Sequence, residues 1–176
     1  MERSKNSKRV LILVAVLLVA LAVAAVASQG GSVLVSGNSM QPTYQNGDRV
    51  IFMNLFYIPQ NGDVVILDID GFEDTFIKRV IGVAGDELEF DEKTGLISRN
   101  GNILEITEKD GLLYEGEYTI LSRTADWKDA QQTVIVPQGY VFVLGDNRGN
   151  SRDSRNEEVG MIHTSRIEGK AIFTIN

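Results

Sequence analysis

The residues able to do chemistry begin at Ser36-Gly37-Asn38-Ser39-Met40-Gln41-Pro42-Thr43, where a serine stands shortly before a proline. Val33 and Val35 alternate ahead of it in the manner of a strand, and Pro42 fixes its own φ while pushing Gln41 out of the helical region. This pattern places Ser39 where a strand ends in a rigid turn. A serine hydroxyl is a weak nucleophile near neutral pH, so chemistry here requires a base from elsewhere in the chain. Without such a base the same residues read as an ordinary turn.

A Ser-His-Asp arrangement would have to use His163, the single histidine of the chain. It lies in Met161-Ile162-His163-Thr164, with no carboxylate nearer in sequence than Glu158 or Glu168. Lysine is the other common partner of serine, and it acts as a base only if burial lowers its pKa, because a solvated ammonium has no lone pair. Lys78 suits this best. In Phe76-Ile77-Lys78-Arg79-Val80-Ile81, strand alternation puts Lys78 on the face of Phe76 and Val80 and turns Arg79 the other way. The competing reading is an edge-strand lysine that discourages aggregation.

A third stretch, Gly145-Asp146-Asn147-Arg148-Gly149-Asn150-Ser151-Arg152-Asp153-Ser154-Arg155, follows directly on the apolar run Tyr140 to Leu144. Alone it reads as a solvated hairpin loop. Together the three stretches resemble the bacterial type I signal peptidases, membrane-bound Ser-Lys proteases. The serine box is matched by Ser39-Met40-x-Pro42-Thr43 and the lysine box by Lys78-Arg79-Val80-x-Gly82-x-x-Gly85-Asp86. The last box is matched by Gly145-Asp146-Asn147-Arg148-x-x-Ser151-x-Asp153-Ser154-Arg155, and the match runs from about Gly37 to the C-terminus.

The resemblance implies that Ser39 and Lys78 are the catalytic dyad and that the Ser151 hydroxyl helps orient the lysine amine. It implies supporting ion-pair roles for Arg79 and Asp153, with Arg155 as a further partner. The Ser39 backbone N–H is the expected oxyanion donor. Many Gram-negative relatives add a serine hydroxyl two positions before the nucleophile; this chain has Gly37 there, which leaves the second donor open. Substrates would be the signal peptides of secreted preproteins, bound by strand addition with small residues (Ala-x-Ala) before the cut. Val33, Val35, Gly37, Met40, Phe76 and Ile77 are the residues expected to line the pockets. The resemblance implies no cofactor and no metal, and it brings an association with the secretion machinery into view.

These residues need a scaffold near a membrane. Val10 to Ala27 are 18 consecutive residues drawn from Val, Leu, Ile and Ala. As a helix they would span about 27 Å, close to the ~30 Å of the hydrocarbon core. A transmembrane helix over 10–28 is therefore expected, with the lipid bilayer as a partner. Residues 1–9, where Arg3, Lys5, Lys8 and Arg9 oppose only Glu2, then form a cytoplasmic tail, and residues 29–176 lie outside. The alternative is a cleaved signal peptide, since Ala25-Val26-Ala27 offers small residues in the pattern a signal peptidase cuts after. Eleven residues, Ser28 to Asn38, separate the apolar run from Ser39, a reach of at most ~40 Å. The nucleophile is thus tethered close to the membrane surface.

Beyond the serine turn the chain reads as mainly β, an antiparallel catalytic domain with a β-rich insertion over 91–132. Asn46-Gly47-Asp48 leads into Arg49 to Met53, and Asn61-Gly62-Asp63 leads into Val64 to Leu67, an echo taken as two hairpin turns. Asp68-Ile69-Asp70-Gly71 lacks the ligand spacing of a calcium loop and reads as a turn. In the insertion, Ile103 to Ile106 and Tyr118 to Leu121 are short strand candidates, and Trp127 would be an interfacial anchor or plain packing. Thr133 to Val136 and Tyr140 to Leu144 read as a hairpin, and Gly169 to Ile175 as a last strand in which Lys170 stays unburied.

Composition narrows the remaining classes. The formal net charge is −7 while residues 1–9 carry +3, which leaves −10 on the rest. So acidic a body argues against nucleic acid as a partner. Zero cysteines exclude disulfides and thiol chemistry. Two other readings compete: a self-cleaving LexA-type Ser-Lys protein, for which no DNA-binding helix-turn-helix precedes the catalytic part, and an inactive membrane-tethered binding domain.

Overall fold

Short apolar runs punctuated by Gly-Asp turns cannot bury both faces as helices of useful length, and they pair instead as strands. The structure, a computed structural model, describes residues 11–21, 29–69, 71–72, 74–91, 97–104 and 131–175. In chain order its strands are β1 (Gly30–Leu34), β2 (Arg49–Met53), β3 (Val64–Leu67), β4 (Phe76–Val83), β5 (Glu87–Asp91) and β6 (Ile97–Arg99), followed by β7 (Asn102–Ile103), β8 (Gln131–Ile135), β9 (Tyr140–Leu144), β10 (Ile162–His163) and β11 (Ile167–Ile175). A seven-stranded sheet runs β1-β2-β11-β3-β4-β9-β10, and a four-stranded sheet runs β7-β6-β5-β8. Every pairing among them is antiparallel.

One turn design recurs three times. Gln45-Asn46-Gly47-Asp48 and Gln60-Asn61-Gly62-Asp63 are the same four residues, and in each the Asp N–H donates to the Gln carbonyl at 3.1 Å. The Asp carboxylate in turn accepts the Gln N–H, at 2.7 and 3.1 Å. Val83-Ala84-Gly85-Asp86 repeats the arrangement, with the Val83 N–H on the Asp86 carboxylate at 3.0 Å. The glycines sit at φ 98°, 90° and 91°, a region that residues with a Cβ avoid. The echo seen in the sequence is therefore structural, but only the first turn lies between paired strands: β11 sits between β2 and β3, so Asn61-Gly62 is not a hairpin turn.

Three apolar clusters follow from strand alternation. Val64 and Ile66 point to one side of β3, where they pack with Val35, Met40, Val50 and Ile77, while Val65 and Leu67 point to the other, with Val80, Val141 and Val143. Ile81, Phe142 and Leu144 of the large sheet meet Leu88, Phe90, Ile97 and Val136 of the small one. The serine turn enters this scheme through Met40, which is 1% exposed and anchors the turn on β3 and β4.

Several expectations need adjustment and others hold. The segments around Thr133–Val136 and Tyr140–Leu144 are strands but not a hairpin: β8 pairs with β5 and β9 with β4, so Pro137-Gln138-Gly139 carries the chain from one sheet to the other. β10, two residues long, was not anticipated. Lys170 is half-exposed and ion-paired with Asp63. The turn expected after Asp68 is marked by the Phe72 N–H on the Ile69 carbonyl at 3.2 Å, with Asp70 itself outside the described residues. Residues 11–21 are helical with every side chain exposed, and no helix among the described residues is long and apolar enough to cross a membrane. The basic tail 1–9, the rest of the 10–28 span, Tyr118–Leu121, Trp127 and most of the 91–132 insertion lie outside the described residues.

At the crossing of β11 over β2 only a glycine fits. A Cβ on Gly169 would lie 2.8 Å from both the Met53 carbonyl oxygen and Phe52 Cδ2. Gly169→Ala is expected to lower the denaturant midpoint by an amount equal to about 1–3 kcal/mol, with an unchanged m-value. A midpoint equal to that of the wild type contradicts this packing.

Candidate active site

Ser39 and Lys78 arrive from opposite sides of a shared groove. The β1 strand ends at Leu34, the Val35 N–H still bonds the Asp48 carbonyl at 2.8 Å, and the chain then turns through Ser39 and Met40. Gly37 sits at φ 86° with its N–H on Asn46 Oδ1 at 2.8 Å, and the Gln41-Pro42 peptide is cis. Lys78 lies on β4 opposite Val65, and its face is that of Phe76 and Val80, as alternation requires. Lys78 Nζ stands 2.9 Å from Ser39 Oγ.

The amine is in apolar company. The Lys78 residue is 4% exposed; its Nζ donates to the Ile77 carbonyl at 2.8 Å and lies 5.2 Å from the Phe76 ring centroid. Burial lowers its pKa from 10.5 to about 8, against an opposing pull from Asp153 and Asp146, which favour the charged form. Desolvation outweighs attraction here because no carboxylate touches the amine. Both acids are committed elsewhere.

Arg79 points away from Lys78 and grips Asp146 with two bonds, Nε to Oδ1 at 2.7 Å and Nη2 to Oδ2 at 2.6 Å. Its Nη1 donates to the Gly62 carbonyl at 2.8 Å, and the Thr43 hydroxyl donates to Asp146 Oδ2. Arg155 holds Asp153 in the same two-point way, at 2.7 and 2.8 Å, while the Gly145 N–H donates to Asp153 Oδ2 at 3.0 Å. So Arg79 and Asp153, expected as supporting residues, do not pair with each other. Asp146 is the acid that sequence reasoning passed over, although an arginine buried behind the lysine strand demands a carboxylate and the motif offered one beside Gly145.

Ser151 lies in the loop beside the site without a hydrogen bond to the Lys78 amine. Among the described residues its Oγ is buried without a hydrogen-bond partner, and the Lys78 amine bonds only Ser39 and Ile77. The Ser151 side chain packs where Gly145 has none: a Cβ on Gly145 would fall 2.2 Å from Ser151 Oγ and 2.5 Å from the Ser39 carbonyl oxygen. Membership in the loop is legible from sequence; the direction of a hydroxyl is not. His163 is exposed, with Nδ1 against Ser165 Oγ at 2.7 Å, on the far edge strand and away from the groove lining.

The groove has a volume of about 190 Å³. Of the residues expected to line it, Val35, Met40, Phe76 and Ile77 do. Val33 and Gly37 do not: Val33 packs into the core cluster under β1, and a Cβ on Gly37 would meet nothing within 4 Å. Leu34 and Ser36 take their place, joined by Asp74, Thr75 and Arg152. Leu34 is 57% exposed, an apolar side chain left in contact with the groove.

A buried amine with depressed pKa penalises folding. Between pH 8 and 10.5 the unfolded chain binds more protons at this position than the folded one, so stability rises with pH there; below about 8 both states are protonated and the full penalty stands. Lys78→Met is therefore expected to raise Tm at pH 7, with the gain narrowing as pH climbs from 8 towards 10.5. A gain that does not vary with pH contradicts the assigned burial.

Residues 7–176 match the family model described as signal peptidase, peptidase S26. The signal peptidase I of Bacillus licheniformis is 35% identical over 143 residues, covering 80% of this chain and 73% of that protein. The signal peptidase I T of Bacillus subtilis (strain 168) is 37% identical over 144 residues, covering 80% and 70%. A crystal structure of a signal peptidase I from Enterococcus faecalis V583 is 25% identical, with a TM-score of 0.44, covering 65% of this chain and 97% of that one.

Proposed function

Because this chain belongs to the signal peptidase family, peptidase S26, and is thereby a peptidase that cleaves signal peptides from preproteins, we propose that it works through a Ser39–Lys78 dyad, cutting after small residues in the pattern Ala-x-Ala. The observation that carries this reading is the 2.9 Å approach of Ser39 Oγ to a buried amine whose pKa falls to about 8.

The chemistry follows from those atoms. Ser39 Oγ attacks the scissile carbonyl carbon while its proton passes to neutral Lys78 Nζ. The carbonyl oxygen becomes an oxyanion facing the Ser39 N–H, which has no acceptor among the described residues. Lys78, now an ammonium, protonates the leaving amine, and the new N-terminus departs. Water, giving its proton to the same amine, then attacks the acyl carbon; the bond to Ser39 Oγ breaks, and Lys78 returns the proton to that oxygen as the acid departs. Asp146 with Arg79, and Asp153 with Arg155, hold the loop and the lysine strand at this spacing.

A groove of about 190 Å³ walled by Leu34, Met40, Phe76 and Ile77 supports small apolar side chains before the cut. Bulkier ones would meet a packed wall. The run Val10–Ala27 and the basic residues ahead of it support a single-pass anchor with the N-terminus cytoplasmic and the catalytic domain outside. The exposed apolar helix at 11–21 covers part of that run. Cleavage would then occur where a preprotein emerges from the bilayer.

In detergent, Ser39→Ala and Lys78→Ala are each expected to lower processing of an Ala-x-Ala preprotein by about a thousandfold or more. Uncut preprotein with the wild-type enzyme as well would leave a binding domain as the better reading. For the wild type, only the neutral amine is competent, so kcat/KM should rise about tenfold per pH unit below 8 and level off above it. A limb that instead has its midpoint at about 6.5 and disappears in His163→Ala would assign the base to histidine.

A further inference from the structure

The loop after β9 holds more than ion pairs. Asp146 binds the back of the lysine strand through Arg79, and its neighbour Asn147 binds the serine turn. The Asn147 backbone N–H donates to the Ser39 carbonyl at 3.0 Å, and its side-chain Nδ2 donates to the Asn38 carbonyl at 3.1 Å. The orientation of that side-chain amide is unambiguous, since a carbonyl oxygen can only accept.

The Asn38 carbonyl is not an incidental partner. It belongs to the same planar peptide as the Ser39 N–H, and in a trans peptide the two point in opposite directions. Holding one therefore aims the other. The Asn38 oxygen also accepts the Gln41 N–H at 3.2 Å, so two donors converge on it. Two donors on the oxygen withdraw electron density from the peptide and make its N–H a better donor on the far side. The Ser39 carbonyl, one peptide later, is fixed in turn by the Asn147 N–H, so both peptides flanking the nucleophile are tied to one residue.

We propose that Asn147 is a positioning residue for the oxyanion donor: by holding the Asn38 carbonyl, its side-chain amide aims and polarises the Ser39 N–H towards the charge that develops on the scissile oxygen. This deepens the dyad reading and rests on it. Loss of a direct oxyanion donor lowers kcat about 100- to 1000-fold; loss of the group that aims one should fall below that range.

The test uses the full chain in detergent, with Asn147→Leu, close in shape but unable to donate, and Asn147→Gln, which keeps an amide. Asn147→Leu is expected to lower kcat about 10- to 50-fold with KM within about twofold of the wild type, and Asn147→Gln to recover part of the loss. Because Leu adds no charge, the pH midpoint set by Lys78 should stay in place. Two peptides separate aiming from folding: one ending in alaninal, whose hemiacetal on Ser39 carries the oxyanion, and its alaninol counterpart, which forms no adduct. The aldehyde-to-alcohol affinity ratio should fall in parallel with kcat in Asn147→Leu. An unchanged ratio, or a kcat loss explained by a moved pH midpoint, overturns the assignment even if the variant is less stable. A wild-type protein that forms no adduct with the aldehyde overturns the dyad reading itself.

Discussion

The structure depends on keeping one amine out of water without giving it an anion. Lys78 is surrounded by a hydroxyl, a carbonyl and an aromatic ring. A carboxylate in contact would restore the ammonium and remove the lone pair that a base needs. The protein does place two carboxylates close by, yet each is held by a guanidinium through two bonds. Desolvation thereby prevails over attraction, and the amine remains titratable near neutral pH.

The same loop that supplies those acids also sets the spacing of Ser39 and Lys78. Gly145 leaves room for Ser151 and the Ser39 carbonyl to approach, Asp146 reaches Arg79 behind the lysine strand, and Asn147 reaches the serine turn. Three adjacent residues thus join the two halves of the site. Gly-Asp turns at 47–48, 62–63 and 85–86 do comparable work elsewhere, each using a carboxylate to close its own bend. Asp63 and Asp86 are mostly buried in doing so.

Much of this was legible in the residues. The phase of β4 gave the side of Lys78 and the opposite side of Arg79, because alternation admits no third option. Turn chemistry at Asn46-Gly47 and Asn61-Gly62 located β2 and β3. The choice between Asp146 and Asp153 for Arg79 was not legible, since both lie in one motif and only the path of the loop decides. Nor was the groove-facing side of β1: Val33 looks inward like any apolar strand residue, and it is, whereas Leu34 looks equally apolar and lines the groove. β8 and β9 misled for a related reason, as two strands joined by Pro-Gln-Gly look the same whether they pair or part into separate sheets.

The order of strands carries a consequence for how the groove is assembled. The serine turn hangs from β1 and β2, the lysine from β3 and β4, and the strand lying between these pairs is β11, which is the last in the chain. Both Ser39 and Lys78 precede in sequence the strand that seats them side by side. The side-by-side placement of Ser39 and Lys78 therefore waits on long-range pairing, β11 with β2 and β11 with β3, the kind of contact that is slow to close in folding.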